Sequence, residues 1–265
     1  MADDRQAAQQ PAQIEVFPAR TDNIGVLIHD PATGATAAVD APEAGAVLAA
    51  LTHTGWTLTD ILVTHKHADH IDGIPELKQR FPGVRVVAPL AEKDDIPLVD
   101  VTVSDGDTVK VGELEARVIA TPGHTAGHVA YWFARDEALF AGDTLFSLGC
   151  GRLFEGSPGD MWGALQVLRN LPDEARLYCG HDYTLSNARF ALSLDGDNAA
   201  LRAYAASAEQ TRAEGRLTIP ARLGDEKALN PFLRADDPAI ARAVGLDGAD
   251  AVSVFAELRE RKNRS

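Results

Sequence analysis

Cysteine is nearly absent: a chain of 265 residues carries two, Cys150 and Cys179. Two thiols cannot build the disulfide framework of a small secreted scaffold. They are expected to stay free in a reducing compartment, although spacing alone does not forbid their pairing. Long apolar runs are missing too, none approaching the roughly 20 residues of a membrane-spanning helix. The opening stretch "MADDRQAAQQPAQ" holds no apolar segment of the secretory-signal kind. A cytoplasmic location is therefore expected, with residues 1–12 as a disordered tail. Positive charge is scarce: 25 Lys and Arg stand against 39 Asp and Glu, a formal net charge of -14. That balance argues against nucleic-acid and anionic-membrane partners, both of which need basic stripes.

What remains is an ordinary globular composition, 45% hydrophobic and 24% charged, long enough for one large domain or for a large one with a smaller one. From Ile14 to Asp182 short strand-like runs dominate, among them "NIGVLIHD", "DILVTH", "VRVVAP", "VAYWF" and "RLYCGH". Each is β-branched or aromatic and stops at a turn residue. Helices are predicted at Glu43 to Thr54, Pro75 to Arg80 and Asp160 to Asn170, which suggests sheets covered by helices. After Tyr183 the pattern turns helical. Asp197 or Asn198 offers an N-cap and Gly215 a stop, Asp237-Pro238 opens another helix, and Val252, Phe255 and Leu258 are expected on one apolar face.

The stretch "THKHADHIDG", Thr64 to Gly73, packs three histidines and two aspartates directly after the apolar run Ile61-Leu62-Val63. Strand alternation sends His65 and His67 to the same side. Imidazole nitrogens and a carboxylate oxygen are donors that zinc and similar metals accept. By composition, a chance H-x-H-x-D-H in such a chain is on the order of one in a thousand. Three later apolar runs each end beside a glycine with a further candidate: His124 in "TPGHTAGH", Asp143 in "LFAGDTLF" and His181 in "YCGHDY". Seven ligands are too many for one tetrahedral ion and suit two.

These segments, with "FAGDTLFSLGCGRLFEG", "CGHDYTLSNARFAL", "NPFLR" and the closing "FAELRERK", resemble the metallo-β-lactamase-fold hydrolases and, among them, the glyoxalase II or hydroxyacylglutathione hydrolase family. The resemblance implies an α/β fold, an αββα sandwich (residues 13–183, catalytic) followed by a helical substrate-binding domain (184–265). It implies that His65, His67 and His124 hold one divalent ion, that Asp69, His70 and His181 hold a second, and that Asp143 bridges them. Zinc is the expected metal, with iron or manganese compatible with nitrogen and oxygen donors. The implied reaction is hydrolysis of S-(2-hydroxyacyl)glutathione, typically S-D-lactoylglutathione, by a metal-bridged hydroxide. Its products are glutathione and D-lactate, and it belongs to methylglyoxal detoxification. Asp69 and Asp143 are the catalytic carboxylates implied, and a monomer is the expected state.

For the substrate's carboxylates the resemblance points to Arg152, Tyr183 and Arg234, the two guanidinium forks suiting carboxylate geometry. Arg152 stands where eukaryotic relatives carry lysine, and Phe154 where they carry tyrosine. Rival readings are an iron-dependent glutathione persulfide dioxygenase of the same fold, a β-lactamase, and a non-catalytic metal-binding scaffold. His29 and His53 are expected to play satisfied structural roles, His128 to support a ligand or pack, Cys179 to pack, and Asp182 to support a ligand or be solvated. Met161 and the tryptophans are expected in the core.

Overall fold

Two six-stranded sheets lie face to face in the computed structural model, which describes residues 10–265. The first contains β1 (Gln13–Ala19), β2 (Asn23–His29), β3 (Thr36–Val39), β4 (Asp60–Leu62), β5 (Arg85–Pro89) and β6 (Val101–Val103), in that spatial order. Pairing is antiparallel from β1 to β3 and parallel from β3 to β6. The second sheet begins with β7 (Thr108–Val111), β8 (Leu114–Ala120), β9 (Val129–Phe133) and β10 (Ala138–Gly142). After a small hairpin of β11 (Leu145–Phe146) and β12 (Gly149–Cys150) it adds β13 (Arg176–Cys179) and β14 (Ala221–Arg222). Its order is β14-β13-β10-β9-β8-β7, with β10 and β13 parallel.

Strand alternation sorts the side chains into layers. Val26, Ile28, Val39, Leu62 and Val87 point between the sheets, where they meet Tyr131, Phe133 and Phe140. Their neighbours Leu27, Ala38, Ile61 and Val86 point the other way, against α1 (Ala44–Thr54) and α3 (Ile74–Arg80), which follows the single turn α2 (Ala68–Ile71). On the far face, Ala130, Trp132, Leu139 and Leu177 pack under α4 (Pro158–Arg169). The order of layers is helix, sheet, sheet, helix, so the expected αββα sandwich is present.

The C-terminal helices are α5 (Thr184–Leu194), α6 (Ala199–Ala213), α7 (Leu223–Leu229), α8 (Pro238–Ala243) and α9 (Ala251–Asn263). Asn198 caps α6 and Asp237 caps α8, as their sequence signals indicate. These helices are not a separate body: Phe232, Val254, Phe255 and Leu258 share one core with the outer face of the second sheet, and β14 pairs with β13. On α9, Val254 rather than Val252 joins Phe255 and Leu258; Val252 is exposed because the buried stripe runs 254, 255, 258. Of the expected tail, residues 1–9 lie outside the described residues. Its end is tied down, since the Ala12 N–H donates to Asp136 Oδ1 at 2.7 Å. No described helix is long and apolar enough to cross a membrane.

Candidate metal centre

Four strands deliver the ligand candidates to one edge of the sandwich. The chain leaves β4 through Val63 and Thr64 to His65 and His67, and α2 then lifts Asp69 and His70 into the same space. His124 follows β8, Asp143 follows β10, and His181 follows β13. An Ile24 N–H to Gly180 O bond of 2.8 Å ties the two sheets together at this edge. A Cβ on Gly180 would lie 2.4 Å from Asp143 Oδ1 and 2.7 Å from a His70 ring carbon, so only glycine lets β13 pass there.

All seven side chains come together. His65, His67 and His124 form one group of donors, and Asp69, His70 and His181 another. In the first, His67 Nδ1 lies 3.1 Å from His65 Nε2 and 2.9 Å from His124 Nε2. In the second, Asp69 Oδ2 lies 3.3 Å from His181 Nε2 and 3.7 Å from His70 Nε2. Asp143 stands between them: Oδ2 is 3.3 Å from His124 Nε2 and 3.4 Å from His181 Nε2, and Oδ1 is 3.5 Å from His70 Nε2. Ligands on a tetrahedral ion with bonds of 2.0–2.1 Å sit about 3.3 Å apart. His70 Nε2 and Asp143 Oδ1 are buried with no hydrogen-bond partner. Buried polar atoms are rarely left so, and a divalent cation between the groups would satisfy both. The residues therefore fit a divalent metal site.

The outward nitrogens are held as metal-binding histidines usually are. His70 Nδ1–H donates to Asp40 Oδ2 at 2.8 Å, and His124 Nδ1–H to the Arg152 carbonyl at 2.9 Å. His65 Nδ1 meets Thr64 Oγ1 at 3.0 Å, and that hydroxyl donates on to Asp40 Oδ2 at 2.9 Å. His181 Nδ1 lies 3.3 Å from Asp22 Oδ1. His128 accepts the Asp143 backbone N–H at 3.0 Å through Nε2 and meets Thr121 Oγ1 at 2.8 Å through Nδ1, so it steadies the Asp143 backbone. Asp40, Asp22 and Asn23, which donates to Asp69 Oδ2 at 3.1 Å, carried no local sequence signal.

Electrostatics separates the two groups. Burial, then neighbouring imidazoles, hold His65 well below the ordinary histidine range, and burial lowers His124. Burial also opposes charge on His70 and His181, but carboxylates outweigh it: Asp143 and Asp40 raise His70, and Asp143 with Asp69 push His181 up to about 9. The hydrogen bond with His181 holds Asp69 below the usual carboxylate range.

A cavity of about 690 Å³ opens over the ligands. Arg152 and Tyr183 line it, with Phe146, Phe154 and, from the C-terminal helices, Asn187, Arg259 and Lys262. Tyr183 stacks on the His181 ring at 4.8 Å. Arg234 is a correction: it does not line the cavity. Its guanidinium is committed to Asp195 Oδ2 and Asp237 Oδ2, each at 2.7 Å, within the helical region. Arg259 and Lys262 were missed, although the closing segment that holds them was noticed. Asp182 neither supports a ligand nor is solvated; it accepts from the Thr218 backbone and hydroxyl and pairs with Arg212. His29 stacks on Trp56, whereas His53 is exposed on the last turn of α1 rather than satisfied in the fold. The buried Cys179 thiol donates to the His181 carbonyl, Cys150 is free as well, and Asp72 pairs with Arg20. Met161 and Trp132 are buried, while Trp56 and Trp162 are half-buried.

Residues 21–181 match the model of the metallo-beta-lactamase superfamily. The solved structure of ETHE1 from Myxococcus xanthus superposes with a TM-score of 0.67 at 27% identity, covering 96% of this chain and 92% of that one. BLEG-1 B3 metallo-beta-lactamase does so with a TM-score of 0.63 at 20% identity over 83% of this chain and 99% of that one, a likeness of fold. Fold and ligand set together define a metal-binding protein of that superfamily. Residues 182–265 match the model described as hydroxyacylglutathione hydrolase C-terminus. Curated proteins named hydroxyacylglutathione hydrolase are 60% identical in Rhodopseudomonas palustris (strain BisA53) and 58% identical in Methylobacterium nodulans, covering 96% and 95% of this chain and 99% of each relative. The chain belongs to the hydroxyacylglutathione hydrolase family.

Proposed function

We propose that this enzyme hydrolyses S-(2-hydroxyacyl)glutathione, S-D-lactoylglutathione above all, to glutathione and a 2-hydroxy acid such as D-lactate, within methylglyoxal detoxification. One observation carries the reading: of the seven clustered ligand candidates, His67, Asp69, His124, Asp143 and His181 line a cavity whose wall also presents Arg152, Arg259 and Lys262, in a chain of net charge -14. That pairing suits a substrate with a reactive carbonyl at one end and two carboxylates at the other.

His65, His67 and His124 would hold one ion, Asp69, His70 and His181 the other, with Asp143 shared. When bound, two divalent ions, zinc by preference with iron or manganese compatible, supply an acidified water and a Lewis acid for the thioester carbonyl. Asp69, with 35% of its side chain exposed toward the cavity, is placed to orient the attacking water and take its proton. Asp143, whose backbone N–H is fixed by His128, keeps its carboxylate between His124, His181 and His70, where it would be shared by both ions. Arg152, Arg259 and Lys262 receive the glutathione carboxylates through charge-assisted hydrogen bonds. Phe146, Phe154 and Tyr183 pack against the substrate's apolar parts and keep bulk water away. As the new C–O bond forms and the C–S bond breaks, glutathione departs as the thiolate.

In this reading residues 13–183 form the catalytic unit and 184–265 the substrate-binding helices, and all these groups come from one chain, so a monomer suffices. A persulfide dioxygenase is not favoured, given the match of residues 182–265 to the hydroxyacylglutathione hydrolase C-terminus. A non-catalytic scaffold has no broken ligand position to recommend it. Metal analysis paired with a lactoylglutathione hydrolysis assay tests the proposal. Two ions per chain, and activity lost on chelation and restored by zinc, are expected; full activity in metal-stripped protein would overturn it.

A further inference from the structure

One buried carboxylate near the ligands touches none of them. Glu92 ends the 3₁₀ turn Leu90–Glu92 that follows β5, and it is 2% exposed. Its Oε2 accepts the Lys66 N–H at 2.7 Å, and its Oε1 accepts the Gly127 N–H at 2.9 Å. Lys66 lies between His65 and His67, while Gly127 belongs to the loop that carries His124. A single carboxylate thus spans the two loops that deliver the first ligand group. A Cβ on Gly127 would lie 2.6 Å from Glu92 Cγ, so the loop needs glycine to come this close.

A second link runs outside the first. Lys66 Nζ pairs with Glu155 Oε1 at 2.9 Å, and Glu155 Oε2 accepts the Ala126 N–H at 2.8 Å. Parting the two loops would strip a buried carboxylate of at least one donor, a costly state that opposes the movement. The second group is anchored elsewhere, through Asp40 on His70, Asp22 on His181 and Asn23 on Asp69.

We propose that Glu92, backed by the Lys66–Glu155 pair, is a positioning residue that fixes the spacing of the His65–His67 and His124–Gly127 loops and so governs cation affinity at the His65, His67 and His124 group alone. The inference rests on the two-group reading given above. Glu92→Gln keeps the shape but replaces one acceptor oxygen with an NH₂ that faces an N–H donor, so one loop loses its tether.

The test is calorimetric titration of metal-free full-length protein with zinc, comparing the parent with Glu92→Gln, Glu155→Ala, His67→Ala and His181→Ala. The parent is expected to show two binding events, one lost in His67→Ala and the other in His181→Ala. Glu92→Gln is expected to weaken the event that His67→Ala removes by about tenfold to a hundredfold, the usual effect of losing a ligand's supporting contact. The event that His181→Ala removes should stay within about twofold of the parent, because Glu92 bonds to none of that group's ligands. Glu155→Ala, at the surface, should weaken the same first event by about threefold, in keeping with an exposed ion pair. It answers the question even where Glu92→Gln does not fold. Equal weakening of both events, no weakening, or weakening of the His181-dependent event overturns the proposal. A parent that takes up a single ion overturns the two-group reading, and the selectivity with it, and is recognised before any variant is measured.

Discussion

The sheet edge bearing His65 to His181 and the helical wall bearing Arg259 and Lys262 face each other across one cavity and are finished in opposite ways. On the sheet edge five of the seven candidates are buried and the four histidines among them have their outward nitrogens already spoken for, yet His70 Nε2 and Asp143 Oδ1 have no partner inside the cluster. On the helical wall the cations rest on neutral supports: Arg259 donates to the Cys150 carbonyl at 2.8 Å and lies 5.2 Å over the Phe232 ring, and Lys262 donates to the Ser186 carbonyl at 3.1 Å. Among the described residues no carboxylate pairs with either. The sheet edge is left incomplete toward a cation, the helical wall toward an anion. In a chain of net charge -14, sparing those cations from ion pairs leaves them available to an anion in the cavity.

The difference predicts different kinetic signatures, the largest on the sheet edge. Asp143→Asn removes the carboxylate between the two groups. We expect kcat to fall by about a thousandfold or more, since metal-assisted charge stabilisation contributes several kcal/mol, and bound metal to drop below two per chain. Element analysis beside steady-state rates checks both. A variant with unchanged kcat and full metal content would remove Asp143 from the shared position.

On the helical wall, Lys262→Met is expected to raise KM about tenfold while kcat stays within about twofold, because a carboxylate contact remote from the thioester is made equally in ground and transition states. A fall in kcat at constant KM would instead place Lys262 in the chemistry and dissolve the contrast between the walls.

How much of each wall was legible follows from the same contrast. His65 to His70 follow the end of β4, and His124, Asp143 and His181 each stand directly after a glycine beyond β8, β10 and β13; local motif and layer architecture were enough to bring these candidates to one place. The groups that orient the ligands were not readable, because Asp40 and Asp22 reach His70 and His181 across 30 and 159 residues. The cations of α9 were hidden for another reason. Which of its residues face the cavity depends on how α9 lies against α4 and Cys150, and Val252 was placed on the wrong face for want of that angle. Arg234 was misread because a motif names a residue without saying where its side chain points.

Glu226 is fully buried; it accepts the Leu148 N–H at 2.7 Å and the Asn230 side-chain amide at 3.0 Å and so fastens the β11–β12 hairpin to α7. Burial pushes its carboxyl up to about 7. Below about pH 4.5 folded and unfolded chains both hold the proton. From there to about pH 7 only the folded chain keeps it, so stability falls as pH rises, by roughly 3 kcal/mol in total. Glu226→Gln removes that slope. Denaturant unfolding at pH 5 and pH 8 should show the variant gaining on the parent at the higher pH, and parallel pH profiles would show that Glu226 is ionised in both states.

The smallest effect is expected at the residue that belongs to the helical wall by sequence and not by contact. Arg234 is half-buried and bridges Asp195, at the end of α5, to Asp237, the cap of α8. Arg234→Met leaves two carboxylates facing each other without their cation, and we expect a loss of about 1–2 kcal/mol in unfolding free energy, the range for a partly exposed pair. KM should stay within about twofold of the parent. The pairing of Arg234→Met with Lys262→Met makes the distinction sharp, because both remove one positive charge from the same helical region. A long-range field acting on the anionic substrate would raise KM in both, whereas direct contact raises it in Lys262→Met alone. A rise in KM for Arg234→Met that vanishes at high salt would show that the helical wall works through its summed charge rather than through the cations that line the cavity.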